Sequence, residues 1–217
     1  RKMENISIIG HITPQGAGAK MVGRGDSVIE LKAQVARMAQ VVEQIIALSR
    51  YTPAHFEQSL TAVNLTALLQ ELIGQRYEQI ADNEQDISLN ADNVTVLGEQ
   101  FALTTLFDNL LKNAIKYAGP YKPQILIFET REEGKHIITV QDSGIGIPSK
   151  DQSKIFAPYN RASNVGNIKG TGIGLSTCRS LLRGAGGEVV FESPLSRVHT
   201  QPGTAFHLEF PDALVYE

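Results

Sequence analysis

Tryptophan is absent from the 217 residues, and there is a single cysteine, Cys178. One thiol excludes a disulfide framework and points to a reducing compartment. Set within an apolar helical pattern, it reads as a buried structural group rather than a reactive one. An excess of charge is also missing, since 20 Lys and Arg stand against 23 Asp and Glu. Without a basic balance there is no electrostatic case for nucleic acid as a partner. No apolar run approaches the length of a membrane span, and the first residues lack the layout of a signal peptide. What remains is enough chain for one large domain or two modest ones.

Two textures divide it, one over residues 1–59 and the other over 60–217. In the first, Val28, Leu31, Val35, Met38, Val42 and Ile45 alternate spacings of three and four, and Val41, Ile46 and Leu48 widen the stripe. That is a heptad seam. Asp26 or Ser27 can cap its start, and Pro53 marks its end. One helix cannot bury both sides of such a seam, so a homodimeric bundle is expected; the alternative is an amphipathic helix packed on its own domain. Upstream, "GHITPQGAGAKMVGRGDS" holds too many glycines for a continuous helix. Its "GAGAK" lacks the Gly-Lys-Ser/Thr ending of a phosphate-binding P-loop.

The second part is mixed. "LTALLQELIGQRYEQIA" reads as one helix with Leu65, Leu68, Leu69, Leu72 and Ile73 on a face, and "DISLN" and "VTVLG" alternate as strands. "EQFALTTLFDNLLKNAIKYA" is a helix whose apolar face holds Phe107, Leu110, Leu111, Ala114 and Ile115. "QILIFET" and "KHIITVQD" are strands joined through Glu133 and Gly134, and "GEVVFES" and "TAFHLEF" follow a further helix that ends near Gly184. Strands beside a few helices, without strict alternation, predict an α+β fold, a helix layer on a mixed, mostly antiparallel sheet.

Three constellations carry chemistry. In "NIKGTGIGLSTCRSLLRG", Gly170, Gly172 and Gly174 stand directly before an apolar helix, where bare N–H groups and the helix dipole attract anions. A Rossmann turn would need a strand running into the glycines, and the polar "YNRASNVGNIK" excludes it. In "ITVQDSGIGIP", Asp142 ends a strand ahead of Gly144 and Gly146. A carboxylate there can accept from an exocyclic amine such as adenine's, and the glycines let backbone approach the base; a plain strand-to-loop turn is the bland alternative. On the long helix, Asn109, Asn113, Lys116 and Tyr117 share a face. Neutral amide oxygens can complete a Mg²⁺ shell that phosphates mainly supply, and Lys116 can face phosphate as a point charge. The alternative for the asparagines is a solvated helix face.

Together, "LFDNLLKNAIKYA", "DSGIGIP", "IFAPYNRA" and "GTGIGLS", in that order, resemble the N box, first glycine box, F box and second glycine box of sensor histidine kinases. The resemblance covers about Leu60 to Phe210 and implies the Bergerat ATP-binding α/β sandwich shared with gyrase B, heat-shock chaperone ATPases and MutL. It implies ATP and Mg²⁺ as cofactors. Asn113 resembles the metal-binding asparagine, Asn109 its companion, and Asp142 the adenine-binding aspartate, with Gly144 and Gly146 lining the base pocket. Lys116 and Tyr117 belong to the same nucleotide-facing stretch. Phe156 and Arg161 match the F box, whose arginine reaches the phosphates. "APYNRASNVGNIKG" resembles the mobile ATP lid, with Lys169 a further phosphate ligand and Gly170, Gly172 and Gly174 its hinge.

The helix ending "RMAQVVEQIIALSRYTP" is similar to the second helix of the dimerisation and phosphoacceptor domain. Here the chain departs from the family, in which the phosphoacceptor histidine is followed directly by an acidic residue. His11 is followed by Ile12 in a short glycine-rich segment. The acidic neighbour polarises the imidazole for attack on phosphorus, so His11 stands either as the phosphoacceptor or as a loop remnant. His55, His136, His199 and His207 read as structural. The resemblance implies the cytoplasmic core of a two-component kinase that transfers the γ-phosphate to a histidine and then to an aspartate of a response regulator receiver domain, with membrane contact only through segments outside this chain. The alternative is a signalling module that binds ATP but has lost its phosphoacceptor. A hydrolase like the gyrase or chaperone relatives is disfavoured, because those carry a catalytic glutamate where this chain has Asn109.

Overall fold

The computed structural model describes residues 60–82, 85–118, 124–195, 202–212 and 215–216, together with Val35. The chain divides into two compact units, residues 1–38 and 39–217. His11, His55, His199 and the heptad seam apart from Val35 lie outside the described residues; Val35 itself is helical and exposed. All described residues except Val35 belong to the second unit.

Its first described elements are strand β1 (Thr61–Asn64) and helix α1 (Leu65–Gly74). Asn64 caps that helix, its Oδ1 accepting the Ala67 N–H at 2.9 Å, which satisfies a donor the first turn leaves free. The single helix expected here is in fact two, because the chain turns after Gly74 and resumes as α2 (Tyr77–Asp82). Glycine is a poor helix former, and Arg76 fixes the break. Its buried guanidinium donates to the Leu72 carbonyl at 3.1 Å and pairs with Asp108.

Strands β2 (Asp86–Asn90) and β3 (Thr95–Gly98) lead to the long helix α3 (Gln100–Lys116). Glu99 caps α3, accepting the N–H groups of Phe101 and Ala102 at 3.2 and 2.7 Å. The hairpin of β4 (Gln124–Glu132) and β5 (Lys135–Asp142) turns at Gly134 as expected. A one-turn helix α4 (Ser149–Gln152), helix α5 (Gly174–Gly184) and strands β6 (Glu188–Glu192), β7 (Thr204–Pro211) and β8 (Val215–Tyr216) complete the unit.

The main sheet has the order β2-β4-β5-β7-β6, antiparallel throughout except for the parallel β2–β4 pair. The smaller sheet, β1-β3-β8, is antiparallel and was not anticipated from the sequence beyond β3. Helices α1, α3 and α5 share one core with the main sheet: Leu69, Phe107, Leu110 and Leu181 pack with Ile127, Ile138, Leu208 and Phe210. This is the helix-on-sheet sandwich predicted, with β5 as its central strand. Cys178 is fully buried against the Leu106 carbonyl, and burial pushes its thiol up to about 12, so it is an inert packing group. No helix among the described residues is long and apolar enough to cross a membrane.

Phe107 has no exposed surface and stands at the centre of this packing. Its replacement by alanine leaves a cavity that rigid neighbours only partly fill. Phe107→Ala is expected to cost about 3–5 kcal/mol of stability, read as a lowered urea midpoint with an unchanged slope.

Candidate functional site

Three structural junctions meet where β5, α3 and α5 end or begin. The first is at Asp142, the last residue of β5, which keeps only 9% of its surface exposed. Its Oδ1 accepts the Gly144 N–H at 2.9 Å, and the Thr204 backbone N–H adds a second bond. Burial nonetheless dominates and raises the carboxyl to about 6, the two N–H groups pulling the other way. The adjoining loop is pinned on all sides. Ile145 N–H donates to the Tyr117 carbonyl at 3.0 Å, Gly203 N–H to the Gly144 carbonyl at 3.0 Å, and Ile147 N–H to Ser193 Oγ at 2.8 Å. A Cβ at Gly144 would lie 2.3 Å from the Tyr117 carbonyl oxygen, so only glycine permits this approach. Gly146 is tucked against Pro202 and Ser193.

The second junction lies at the C-terminal end of α3. The Lys116 ammonium sits 4.8 Å from the centre of the Tyr117 ring. Both groups converge on Gly170: a Cβ there would stand 2.7 Å from Lys116 Nζ, 3.5 Å from Tyr117 Oη and 3.8 Å from Arg161 Nε. Three donors therefore surround a stretch of bare backbone. Arg161 reaches it by folding back across its own loop, where it donates to the Ile168 carbonyl. Lys169 is exposed beside it.

The third junction joins α3 to the start of α5. Asn109 is 8% exposed, and its Oδ1 lies 3.4 Å from where a Cβ of Gly174 would be. Asn113, one turn on, is half-buried. Among the described residues neither carboxamide takes a hydrogen-bond partner, and neither is fully closed off from solvent, the one buried side-chain atom without a partner being Gln85 Oε1. Gly172, at φ +73°, brings the chain against the backbone of Tyr159 and Asn160; a Cβ would fall 2.8 Å from the Asn160 carbonyl oxygen. No strand precedes these glycines between Ser153 and Ile173, in keeping with the exclusion of a Rossmann turn.

Phe156 is placed differently from its neighbours. Its ring turns into the core and meets Phe191 and Phe206 edge-on at 5.8 and 6.5 Å. Arg179 of α5 covers it at 5.1 Å while bonding Glu188 at 3.2 Å. The Phe156 ring anchors the loop to the core. His136 and His207 are held by Glu129 and Thr139 at 2.6 and 2.9 Å on the strands, away from these junctions, as structural histidines are. Ser193, which accepts from Ile147 and contacts Gly203 and Thr204, was not foreseen from sequence. A lone serine between strands carries no local signal, and only its pairing partners expose its part.

Residues 98–214, more than half of the chain, match the family of histidine kinase-, DNA gyrase B- and HSP90-like ATPases. The chain belongs to this ATPase family. Sensor-like histidine kinase SenX3 of Mycolicibacterium smegmatis is 32% identical over 190 residues, covering 84% of this chain and 47% of that protein. The catalytic domain of histidine kinase ThkA is 28% identical with a TM-score of 0.59, covering 70% of this chain and 97% of that one. ThkA in complex with response regulator protein TrrA gives a TM-score of 0.62 at 22% identity, covering 90% of this chain and 52% of that one. The chain spans about a fifth to a half of the length of the curated relatives it matches. The described unit is thus the catalytic, ATP-binding domain of the sensor histidine kinase type, folded as a Bergerat sandwich.

The donor set suits the cation that accompanies ATP in such domains. Among the described residues no group of three His, Cys, Asp or Glu side chains is placed to hold a metal. The unpaired carboxamides of Asn109 and Asn113 offer neutral oxygens, which fit a hard cation that takes its charge neutralisation from phosphates.

Asp142 gives this ATPase domain a pH signature. Its folded-state value of about 6 lies above the ordinary 3.8, so the group stabilises the fold fully below about pH 4. That contribution is lost as pH rises through about 6, and ionising the buried group costs on the order of 3 kcal/mol. The nucleotide-free protein is expected to lose stability between pH 4 and 6, and Asp142→Asn to flatten that slope. Urea midpoints across the pH series provide the measurement.

Proposed function

We propose that this chain is the core of a two-component sensor histidine kinase, with residues 1–59 forming a dimerising helical segment and 60–217 binding ATP·Mg²⁺. The observation that carries the reading is the double use of Tyr117. Its carbonyl holds the loop beside Asp142, while its hydroxyl and the neighbouring Lys116 face Gly170. The two ends of a nucleotide site, base and phosphate, are thereby joined through one residue.

In this reading Asp142 accepts the exocyclic amine of adenine. A donor at that carboxylate offsets part of its desolvation, so nucleotide binding lowers its affinity for protons. Gly144 and Gly146 line the base. Asn113, with Asn109 beside it, holds Mg²⁺, which when bound neutralises charge on the phosphates. Lys116, Tyr117, Arg161 and Lys169 orient the phosphate chain and stabilise the charge that spreads over the transferred group. No carboxylate is available at Asn109 to activate water, which favours transfer to a protein acceptor over hydrolysis.

The acceptor would be a histidine of the kinase and then an aspartate of a response regulator receiver domain. The complex of ThkA with TrrA supports a partner of that kind. The helical seam supports a homodimer, and nothing in the charge balance favours nucleic acid. A cytoplasmic location fits the single cysteine and the chemistry. The second reading, an ATP-binding signalling module without kinase activity, is favoured by one specific feature: His11 is followed by Ile12 rather than by an acidic residue, in a glycine-rich setting. A histidine without an orienting neighbour forfeits proximity, and each 1.4 kcal/mol forfeited slows transfer about tenfold.

Two measurements test this. Asp142→Asn removes a charged acceptor and is expected to weaken ATP·Mg²⁺ binding at least about tenfold in calorimetric titration; unchanged affinity would refute the assignment of the base pocket. Incubation of the chain with ATP·Mg²⁺ should give weak or no phosphohistidine by mass spectrometry. Rapid, stoichiometric labelling of His11 would decide for a working kinase and against the second reading.

A further inference from the structure

The segment between Phe156 and Gly174 is a loop with few apolar contacts of its own, yet two side chains outside the assigned site fix its first half. Asp151, on the one-turn helix α4, accepts twice from Ser163, its Oδ2 taking the backbone N–H and the hydroxyl at 2.7 Å each. Those two donors, with Lys150 and Lys154 nearby, hold the carboxyl below its usual range. The next residue, Asn164, donates from Nδ2 to two consecutive carbonyls, Ile145 at 3.1 Å and Gly146 at 2.9 Å. These carbonyls belong to the very loop that follows Asp142.

The connection is therefore specific in place. One limb of it runs to α4 and the other to the glycine loop beside the buried carboxylate, while Arg161 lies two residues before Ser163. Neither Asp151 nor Asn164 belongs to the hydrophobic core, so the fold does not need them for packing. Ordering a free loop costs conformational entropy residue by residue, and a loop already held loses less when a ligand arrives.

We propose that Asp151 and Asn164 are positioning residues that staple the first half of the lid to the adenine-side loop, so that Arg161 stands beside Gly170 before nucleotide binds. The proposal rests on the ATP-binding reading above. The staple touches neither base nor phosphate. Its effect belongs to the part of binding energy that the lid contributes, which ATP draws on and adenosine does not.

The test uses the full chain and the variants Asp151→Ala, Asn164→Ala and Asp151→Asn, the last keeping one acceptor oxygen. Hydrogen exchange of the peptide covering residues 158–168, without nucleotide, should accelerate about tenfold in both alanine variants and less in Asp151→Asn, with the thermal midpoint unchanged. Calorimetry should show ATP·Mg²⁺ binding weakened about fivefold to tenfold, adenosine binding within about twofold of the parent, and partial rescue by Asp151→Asn. Unchanged exchange in both alanine variants overturns the staple, as does equal weakening of ATP and adenosine. Failure of the parent chain to bind ATP would instead remove the ATP-binding reading, and the exchange arm would still decide whether the staple exists.

Discussion

A carboxylate at the end of the central strand of a sheet, nine-tenths shielded from water, is an unfavourable thing to build, and the domain is arranged around it. Burial raises the Asp142 carboxyl to about 6, and the backbone N–H groups of Gly144 and Thr204 that point at it offset only part of that rise. To supply those donors, the chain must turn sharply after β5 and stay within reach of β7. The register of β5 and β7, which pairs Asp142 with Thr204, brings the second donor; the glycine brings the first. A site that costs stability when empty gains most from a ligand that donates to it. Folding and binding therefore have opposite interests at this one residue.

Helix α3 converts that local arrangement into a longer site. Its apolar face, through Phe107, Leu110 and Leu111, is locked into the core, which fixes the direction of everything on its polar side. Asn109, Asn113 and Lys116 then follow at helical spacing, and the chain leaves the helix at Tyr117, whose carbonyl is claimed by Ile145. Rigid packing on one side, with the Asn109, Asn113 and Lys116 side chains on the other, suits a surface that holds a charged ligand without reorganising. The one carboxylate on the helix, Asp108, is neutralised by Arg76 and Lys112, so Asn109, Asn113 and Lys116 present amides and a cation.

Much of this was legible because the informative residues are clustered. Asn109 and Asn113 are four apart, and Asp142, Gly144 and Gly146 share one turn; the periodicity of α3 and the alternation of β4, β5 and β7 follow local rules. What could not be read depends on partners distant in sequence. Strand β1 is four residues long and acquires its identity only from pairing with β3. The parallel match of β2 with β4 joins segments separated by the whole of α3. The break after Gly74 was hidden because the apolar pattern continues across it, and the deciding interaction, Arg76 with Asp108, spans two elements. Phe156 lay in a motif, but its ring was destined for Phe191 and Phe206, which sequence order does not connect.

The glycine boxes look alike in sequence and solve different problems. At Gly144 the constraint is close approach: the Tyr117 carbonyl occupies the space a side chain would need, so the helix end and the strand end can share a hydrogen bond. At Gly172 it is backbone conformation as well, since the residue has positive φ and lies against Tyr159 and Asn160. The first glycine keeps a fixed wall of the site in place. The second lets the end of a loop turn back on its beginning just before α5 starts. The loop between them is also tied in its middle, through Asn164 to the Ile145 and Gly146 carbonyls and through Ser163 to Asp151. Position, rather than glycine content as such, decides what each glycine contributes: close approach at Gly144, a left-handed backbone at Gly172.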